Sequence, residues 1–189
     1  MLALYLARHG ETEWSKSKRH TGRTDLPLLP EGEARARQLG ERLRGLDFTA
    51  VYTSPLQRAR RTAALAGFPD ASPSDLLLEY DYGRYEGVTT ADIRQARPAW
   101  ELFHDGCPGG ETPDQVHGRA GAFIALAEGS GGRVLAFAHG HILRAVGAAF
   151  LAQPVVFAAR LSLDTAALSL VEDGANGRVL VFWNLAPGQ

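Results

Sequence analysis

The chain has 189 residues, 45% of them hydrophobic and 22% charged, with a formal net charge of −1. A chain of this size buries a substantial core, and its near-neutral balance excludes nucleic acid or an anionic membrane as a whole-molecule partner. A single cysteine, Cys107, excludes an internal disulfide and fits a reducing compartment.

Leu2–Ala7 is an apolar run that reads as a short buried strand. It is far too short for a signal peptide or a membrane span, so a cytoplasmic protein is expected. The run ends at Arg8-His9-Gly10. Pro30 and the acids behind it open a helix that reaches about Arg44, with Leu39 and Leu43 on one face. Residues 49–53 read as a second strand. Pro55 starts another helix, which Gly67-Phe68-Pro69 stops. After a turn-rich stretch, residues 76–79 read as a brief strand. Short helices are predicted near 90–96 and 98–104, a loop at 107–112, and a longer helix from Pro113 to about Glu128.

The stretch "GSGG" at 129–132 is a flexible turn before the buried strand 133–138, which ends at His139-Gly140-His141. A helix then reaches about Leu151. Strands near 166–172 and 178–184 flank the turn "GANG". Alternating strands and helices predict an α/β fold with a mostly parallel sheet and an antiparallel edge. No linker divides the chain, so residues 1–189 read as one domain. The late strands and "PVVFAARLSL" leave a homodimer open.

In open α/β sheets, ligands bind outside the carboxyl ends of the strands. Those ends carry Arg8, His9 and Gly10; Ser54 and, one helical turn on, Arg58; Glu79; and His139, Gly140 and His141. The inventory is two guanidiniums, two or three imidazoles and one carboxylate. Of the 20 basic residues only Lys16 and Lys18 are lysines. A guanidinium fork suits phosphate, although a base-composition bias gives the same excess.

These blocks carry a family resemblance. "RHGET" at 8–12, "TSPLQRARRT" at 53–62, "EYDYGRYEG" at 79–87 and "AHGH" at 138–141 stand in the order found in the histidine phosphatase superfamily, the phosphoglycerate-mutase-like enzymes. The resemblance implies a three-layer α/β/α sandwich. It also implies that His9 becomes phosphorylated, that Arg8 and Arg58 clamp the phosphoryl oxygens, that Glu79 is the general acid and base, and that His139 is a second phosphate-pocket histidine. The segment "RHTGRTD" at 19–25 implies substrate contacts at Thr21 and Gly22, and Gly140 joins the phosphate pocket. Ser15 stands where many relatives have Asn, which puts its phosphate contact in doubt. Glu86 is a rival acid within the third block.

The chemistry is consistent. Phosphoryl transfer is mostly positioning and charge stabilisation. A neutral imidazole attacks phosphorus, and the leaving alcohol needs a proton. The mutases of the family are longer, with an insertion that adds basic residues for a second acidic group. Here Gly87 and Pro113 enclose only 25 residues, with Arg94 and Arg97 the sole cations, at a spacing that reads as helical and solvated. "PGGET" resembles the phosphatase branch, close to small bacterial acid phosphatases. The expected activity is therefore hydrolysis of a small phosphomonoester, such as a sugar phosphate, without cofactor or metal. A phosphoglycerate-mutase-type transferase is the alternative.

Trp100, Phe103, His104 and His141 are candidates for a specificity pocket, or equally for a packed helix and a solvent-facing histidine. Two other readings stay open. His139 and His141, sharing a strand face, could join His9 in a zinc site; chelator-sensitive activity would favour it. A non-catalytic module would bind phosphate without releasing product.

Overall fold

The computed structural model describes residues 1–187. Its elements, in chain order, are β1 (Leu2–Arg8), α1 (Glu13–Lys16), α2 (Pro30–Leu43), β2 (Ala50–Thr53), α3 (Gln57–Leu65), β3 (Ser72–Pro73), α4 (Thr90–Ala96), α5 (Leu102–Asp105), α6 (Pro113–Ser130), β4 (Gly132–Ala138), α7 (Gly140–Phe150), β5 (Leu168–Gly174) and β6 (Gly177–Leu185). The strands form one sheet in the order β3-β2-β4-β1-β5-β6. The first four are parallel, and β5 and β6 form the antiparallel edge.

The apolar runs of β1 and β4 are nearly continuous because both faces of the sheet are covered. Leu4, Leu6, Val134 and Ala136 join α6 and α7 in one core. Ala7, Leu135 and Phe137 point the other way, onto Leu39 and Leu43 of α2 and Ala63 of α3. That alternation makes three layers, as the sequence led us to expect. At roughly 1.5–3 kcal/mol per fully buried Leu, Val or Phe, these two cores fix the strand register, and the register sets the site.

Local chemistry explains the boundaries. Pro30 sits at the start of α2 with Glu31 and Glu33 in its first turn. Thr112 and Gln115 cap α6 reciprocally. A second capping box, Thr12 with Ser15, builds α1, an element the sequence reading did not contain.

Several expectations are corrected. Residues 76–79 are not a strand: Asp75–Leu77 form a 3₁₀ turn, and the edge strand is the two-residue β3 before it. The predicted helix at 98–104 is only Leu102–Asp105. "GSGG" is partly helical, since α6 runs to Ser130. The segment weighed as a pairing strand, "PVVFAARLSL", holds a 3₁₀ turn over Val155–Arg160. Among the described residues no helix is long and apolar enough to cross a membrane.

Candidate active site

The parallel register aligns Arg8 of β1 with Ala138 of β4, and Thr53 of β2 with Phe137. The ladder continues one residue past each end: His9 N donates to Ala138 O at 2.9 Å, and Ser54 N donates to Phe137 O at 2.9 Å. His9, His139 and Ser54 are therefore the first residues beyond three adjacent strands. The His9 and His139 rings lie 5.1 Å apart, centroid to centroid. Gly10 then turns the chain against α2. A Cβ there would sit 2.4 Å from Gly32 O, so only glycine fits.

His9 is buried, and its Nδ1 lies 2.6 Å from Gly10 O. A carbonyl only accepts, so Nδ1 carries the proton and Nε2 keeps its lone pair. Burial, then Arg58, then Arg8 hold this imidazole well below its ordinary range. His9 is neutral and its free nitrogen is nucleophilic. Arg8 donates from Nη1 to Leu163 O, while its buried Nε has no partner. Gly140 lies under that guanidinium, and a Cβ there would meet Arg8 Nε at 3.3 Å.

Glu79 is buried and accepts three backbone N–H groups. Tyr80 N and Ile142 N donate to Oε1, both at 2.8 Å, and His141 N donates to Oε2 at 3.0 Å. Two of these are first-turn amides of α7, so the carboxylate sits at the positive end of a helix. Arg119 anchors the segment beneath. It donates to the carbonyls of Leu76, Leu78 and Glu79 and pairs with Glu111 at 2.6 Å.

Arg58 is fully buried, and four of its five N–H donors meet protein acceptors. Nε donates to His139 Nδ1, Nη1 to Thr24 O, and Nη2 to Thr21 O and Gly22 O, all between 2.8 and 3.0 Å. Since His139 Nδ1 accepts, its Nε2 donates, to Ser54 Oγ at 2.7 Å. Burial, Arg58 and His9 keep His139 neutral as well. These bonds tie Arg58 and His139 to each other and to the 21–24 loop, and neither is among the residues that line the cavity beside His9.

The cavity itself measures about 350 Å³, and Arg8, His9, Ser15, Thr21, Glu79 and Gly140 are among the residues lining it. Ser15 turns its hydroxyl onto the Thr12 backbone, and Thr21 Oγ1 donates to Arg19 O. Gly22, the other expected contact in this segment, does not line the cavity. It is buried away from the cavity, its N–H donates to Glu86, and its carbonyl accepts from Arg58. Glu86, the rival acid, is a loop anchor that accepts from Gly22 N and Thr24 N.

His139 and His141 do not share a strand face. They are the N-cap and second residue of α7. Tyr82 Oη lies 2.6 Å from His141 Nδ1, and burial pushes the phenol well above 10. The phenol therefore stays protonated and is the hydrogen-bond partner of His141 Nδ1. The two histidines face different partners and make no chelate.

Sequence reasoning missed His20, Tyr82, Lys18, Arg19, Asp164 and Arg144, all of which line this cavity. His20 and Arg19 sat inside the quoted "RHTGRTD", and Tyr82 inside the third block, so a signal existed for them. Asp164 comes from a loop with none.

A second cavity of about 770 Å³ adjoins the first and shares His20, Thr90, His141 and Arg144 with it. Trp100, Phe103 and His104, candidates for a specificity pocket, line it. So does Arg94, which is helical and exposed as expected and donates from Nε to Trp100 O. Arg97 is exposed, 3.7 Å from Asp105.

The model for the histidine phosphatase superfamily (branch 1) matches residues 4–186. An acid phosphatase of Mycobacterium tuberculosis is 41% identical over 171 residues, 88% of this chain and 84% of that one. A sedoheptulose 1,7-bisphosphatase of Saccharomyces cerevisiae is 37% identical, over 74% of this chain and 64% of its own. A solved structure from Mycobacterium tuberculosis superposes with a TM-score of 0.94 at 38% identity, covering 98% of each chain. A strand end that presents a neutral histidine beside an arginine whose Nε lacks an acceptor accords with that match: the chain belongs to the histidine phosphatase superfamily, branch 1.

Proposed function

We propose that this protein is a phosphoric monoester hydrolase that cleaves small phosphomonoesters, such as sugar phosphates, through a phosphohistidine on His9. The observation that carries the reading is the Nδ1–Gly10 O bond of 2.6 Å, which leaves Nε2 with its lone pair in a cavity shared with Arg8 and Glu79. The relatives' phosphatase names support the reaction class.

His9 Nε2 attacks phosphorus and the P–O bond to the alcohol breaks, while a proton from Glu79 goes to the leaving oxygen. The imidazole keeps its Nδ1 proton against Gly10 O throughout. Water then attacks phosphorus, the P–N bond breaks and the Glu79 carboxylate takes the water's proton. Glu79 Oε1 already holds two amides and Oε2 only one, so Oε2 is the proton carrier. Arg8, with a buried Nε that lacks an acceptor, binds the phosphoryl oxygens. Arg58 adds its remaining N–H and its charge, His139 orients Arg58, and the Gly140 backbone lets Arg8 lie close. Thr21 and Ser15 border the substrate.

Phosphate release from p-nitrophenyl phosphate and several sugar phosphates in excess EDTA, beside His9→Ala, tests the reading. Release by the parent and none by the variant is expected, with an acid-labile phosphoprotein trapped on rapid quench. Release that needs added metal, or that survives in His9→Ala, overturns it.

A further inference from the structure

Asp164 is a charged group of the catalytic cavity that the proposed cycle does not use. The cavity wall holds four cations, Arg8, Lys18, Arg19 and Arg144, and two carboxylates, Glu79 and Asp164. Glu79 is buried against three amides and serves as the proton carrier of the cycle. Asp164 is exposed, and its side chain takes one hydrogen bond, on Oδ2, from Asn184 Nδ2 at 3.1 Å. Among the described residues its Oδ1 has no hydrogen-bond partner and the carboxylate forms no ion pair.

A bulge builds this arrangement. Between Phe182 and Leu185, β6 carries one residue more than β5 carries between Leu168 and Leu170. Asn184 adopts the left-handed conformation there, at φ 60°, and its N–H donates to Ser169 Oγ at 3.0 Å. Asparagine tolerates that conformation better than most residues. The bulge re-aims two side chains onto the loop that precedes β5. Trp183 Nε1 donates to Ser162 O at 2.5 Å, and Asn184 Oδ1 accepts from Asp164 N at 2.6 Å. Asn184 therefore holds Asp164 by both its backbone and its carboxylate.

The same loop grips the end of β1. Leu163 O accepts from Arg8 Nη1, Ala167 O accepts from Arg8 N, and Ala166 N donates to His9 O. The Asp164 carboxylate is thus fixed one residue from the carbonyl that anchors the Arg8 fork. Burial lowers the proton affinity of Arg8, and the charges of Glu79, Tyr82 and Asp164 act against it.

We infer that Asp164, held in place by Asn184, weakens the cavity's grip on phosphate and so promotes release of the product. The inference rests on the phosphatase reading and on Arg8 as the clamp. Cations on the wall attract the phosphate dianion, and a fixed carboxylate on the same wall repels it. An ammonium on the substrate is disfavoured as the partner of Asp164, because Lys18, Arg19 and Arg144 share that wall. Asp164 is exposed, so water screens the repulsion and the effect is about threefold rather than orders of magnitude.

Asp164→Asn removes the charge while keeping the shape and both contacts with Asn184. Asn184→Gly keeps the left-handed backbone and frees the carboxylate. Calorimetry with inorganic phosphate, in low salt and in about 0.5 M salt, compares both with the parent. In low salt Asp164→Asn is expected to bind phosphate about threefold more tightly, and Asn184→Gly to shift the same way by less; salt shrinks both differences. A purely structural role would weaken binding instead. Equal or weaker binding in Asp164→Asn, no detectable binding by either protein, or a difference that salt leaves unchanged overturns the inference. An Asn184→Gly variant identical to the parent overturns the role given to Asn184.

Steady-state kinetics on p-nitrophenyl phosphate in EDTA reads the consequence for turnover. In Asp164→Asn the inhibition constant of phosphate and KM are expected to fall together, with kcat unchanged or lower. A kcat that rises overturns the release role. If the parent hydrolyses nothing but the calorimetric difference stands, the phosphatase reading fails and the effect of Asp164 on phosphate survives.

Discussion

Glu86→Ala separates an acid catalyst from a loop anchor. The Glu86 carboxylate takes Gly22 N–H on both oxygens, at 2.9 and 3.0 Å, and Thr24 N–H at 3.0 Å. The same loop returns its carbonyls, from Thr21, Gly22 and Thr24, to Arg58. Removing the carboxylate leaves two amides without their charged acceptor. Each such bond is worth roughly 1.5–3 kcal/mol, discounted because this half-buried site lets water replace part of it. A loss of about 3 kcal/mol follows, which lowers Tm by roughly 6–12 °C for a chain of this size. Arg58 then loosens behind His9, and phosphate release falls about tenfold. Differential scanning fluorimetry and steady-state kinetics on the same preparation read both effects. A general acid behaves otherwise, with a loss of 10²–10⁴-fold at unchanged stability. That second pattern would refute the anchor role and restore Glu86 as the proton donor.

Three further outcomes are expected. Burial holds His9, His20 and His139 below their ordinary value near 6.5, so as pH falls through 6.5 the unfolded chain takes up protons that the folded one refuses. Their stabilisation is fully present above that pH and declines below it, by up to about 1.4 kcal/mol per pH unit for each group; a Tm that stays flat between pH 7.5 and 5.5 would show that they charge within the fold. Tyr82→Phe removes the partner of His141 Nδ1 and is expected to destabilise by about 1–2 kcal/mol; an unchanged midpoint in chemical denaturation would show that water replaces the phenol at no cost. Gly10→Ala drives a methyl into Gly32 O, 2.4 Å away on the backbone of α2; a loss of more than about 3 kcal/mol is expected in chemical denaturation, and a wild-type curve would mean that the turn yields.

The strand ends were legible because each break from apolar to polar residues is local. Leu2–Ala7 gives way to Arg8-His9, and the 133–138 run gives way to His139. A parallel sheet then brings such ends together whatever lies between them. What Arg58 touches was not legible. Three of its four acceptors are the carbonyls of Thr21, Gly22 and Thr24, more than thirty residues upstream, and nothing in "QRARRT" shows that a loop carbonyl will claim the fork. β3 escaped notice because a two-residue edge strand ending in Pro73 has no periodicity to detect. Arg144 did carry a signal that went unread: a lone cation inside "GHILRAVGAAF", where the helix is otherwise nearly all buried, is an expensive placement that calls for a partner.

In the proposed mechanism, the placement of the arginines bears on how His9 becomes reactive. Before an anion arrives, the charges of Arg58 and Arg8 suppress protonation of the imidazole, together with burial, which is the larger cause. Nε2 is therefore free even in mildly acid solution. A phosphate dianion seated on Arg8 cancels part of that field, and the nitrogen becomes more basic, hence a better nucleophile. By then the site is filled and solvent protons are excluded, so the lone pair meets phosphorus first. The cations thus act twice, guarding the nucleophile when the cavity is empty and stabilising the spread charge of the transferring group when it is full. A lysine at position 8 would supply the charge but not the planar fork. A carboxylate beside His9 would undo the guard by raising its proton affinity. In the proposed cycle Glu79, held by the backbone amides of Tyr80, His141 and Ile142, carries the proton until the leaving oxygen takes it, so that conflict does not arise at the attack.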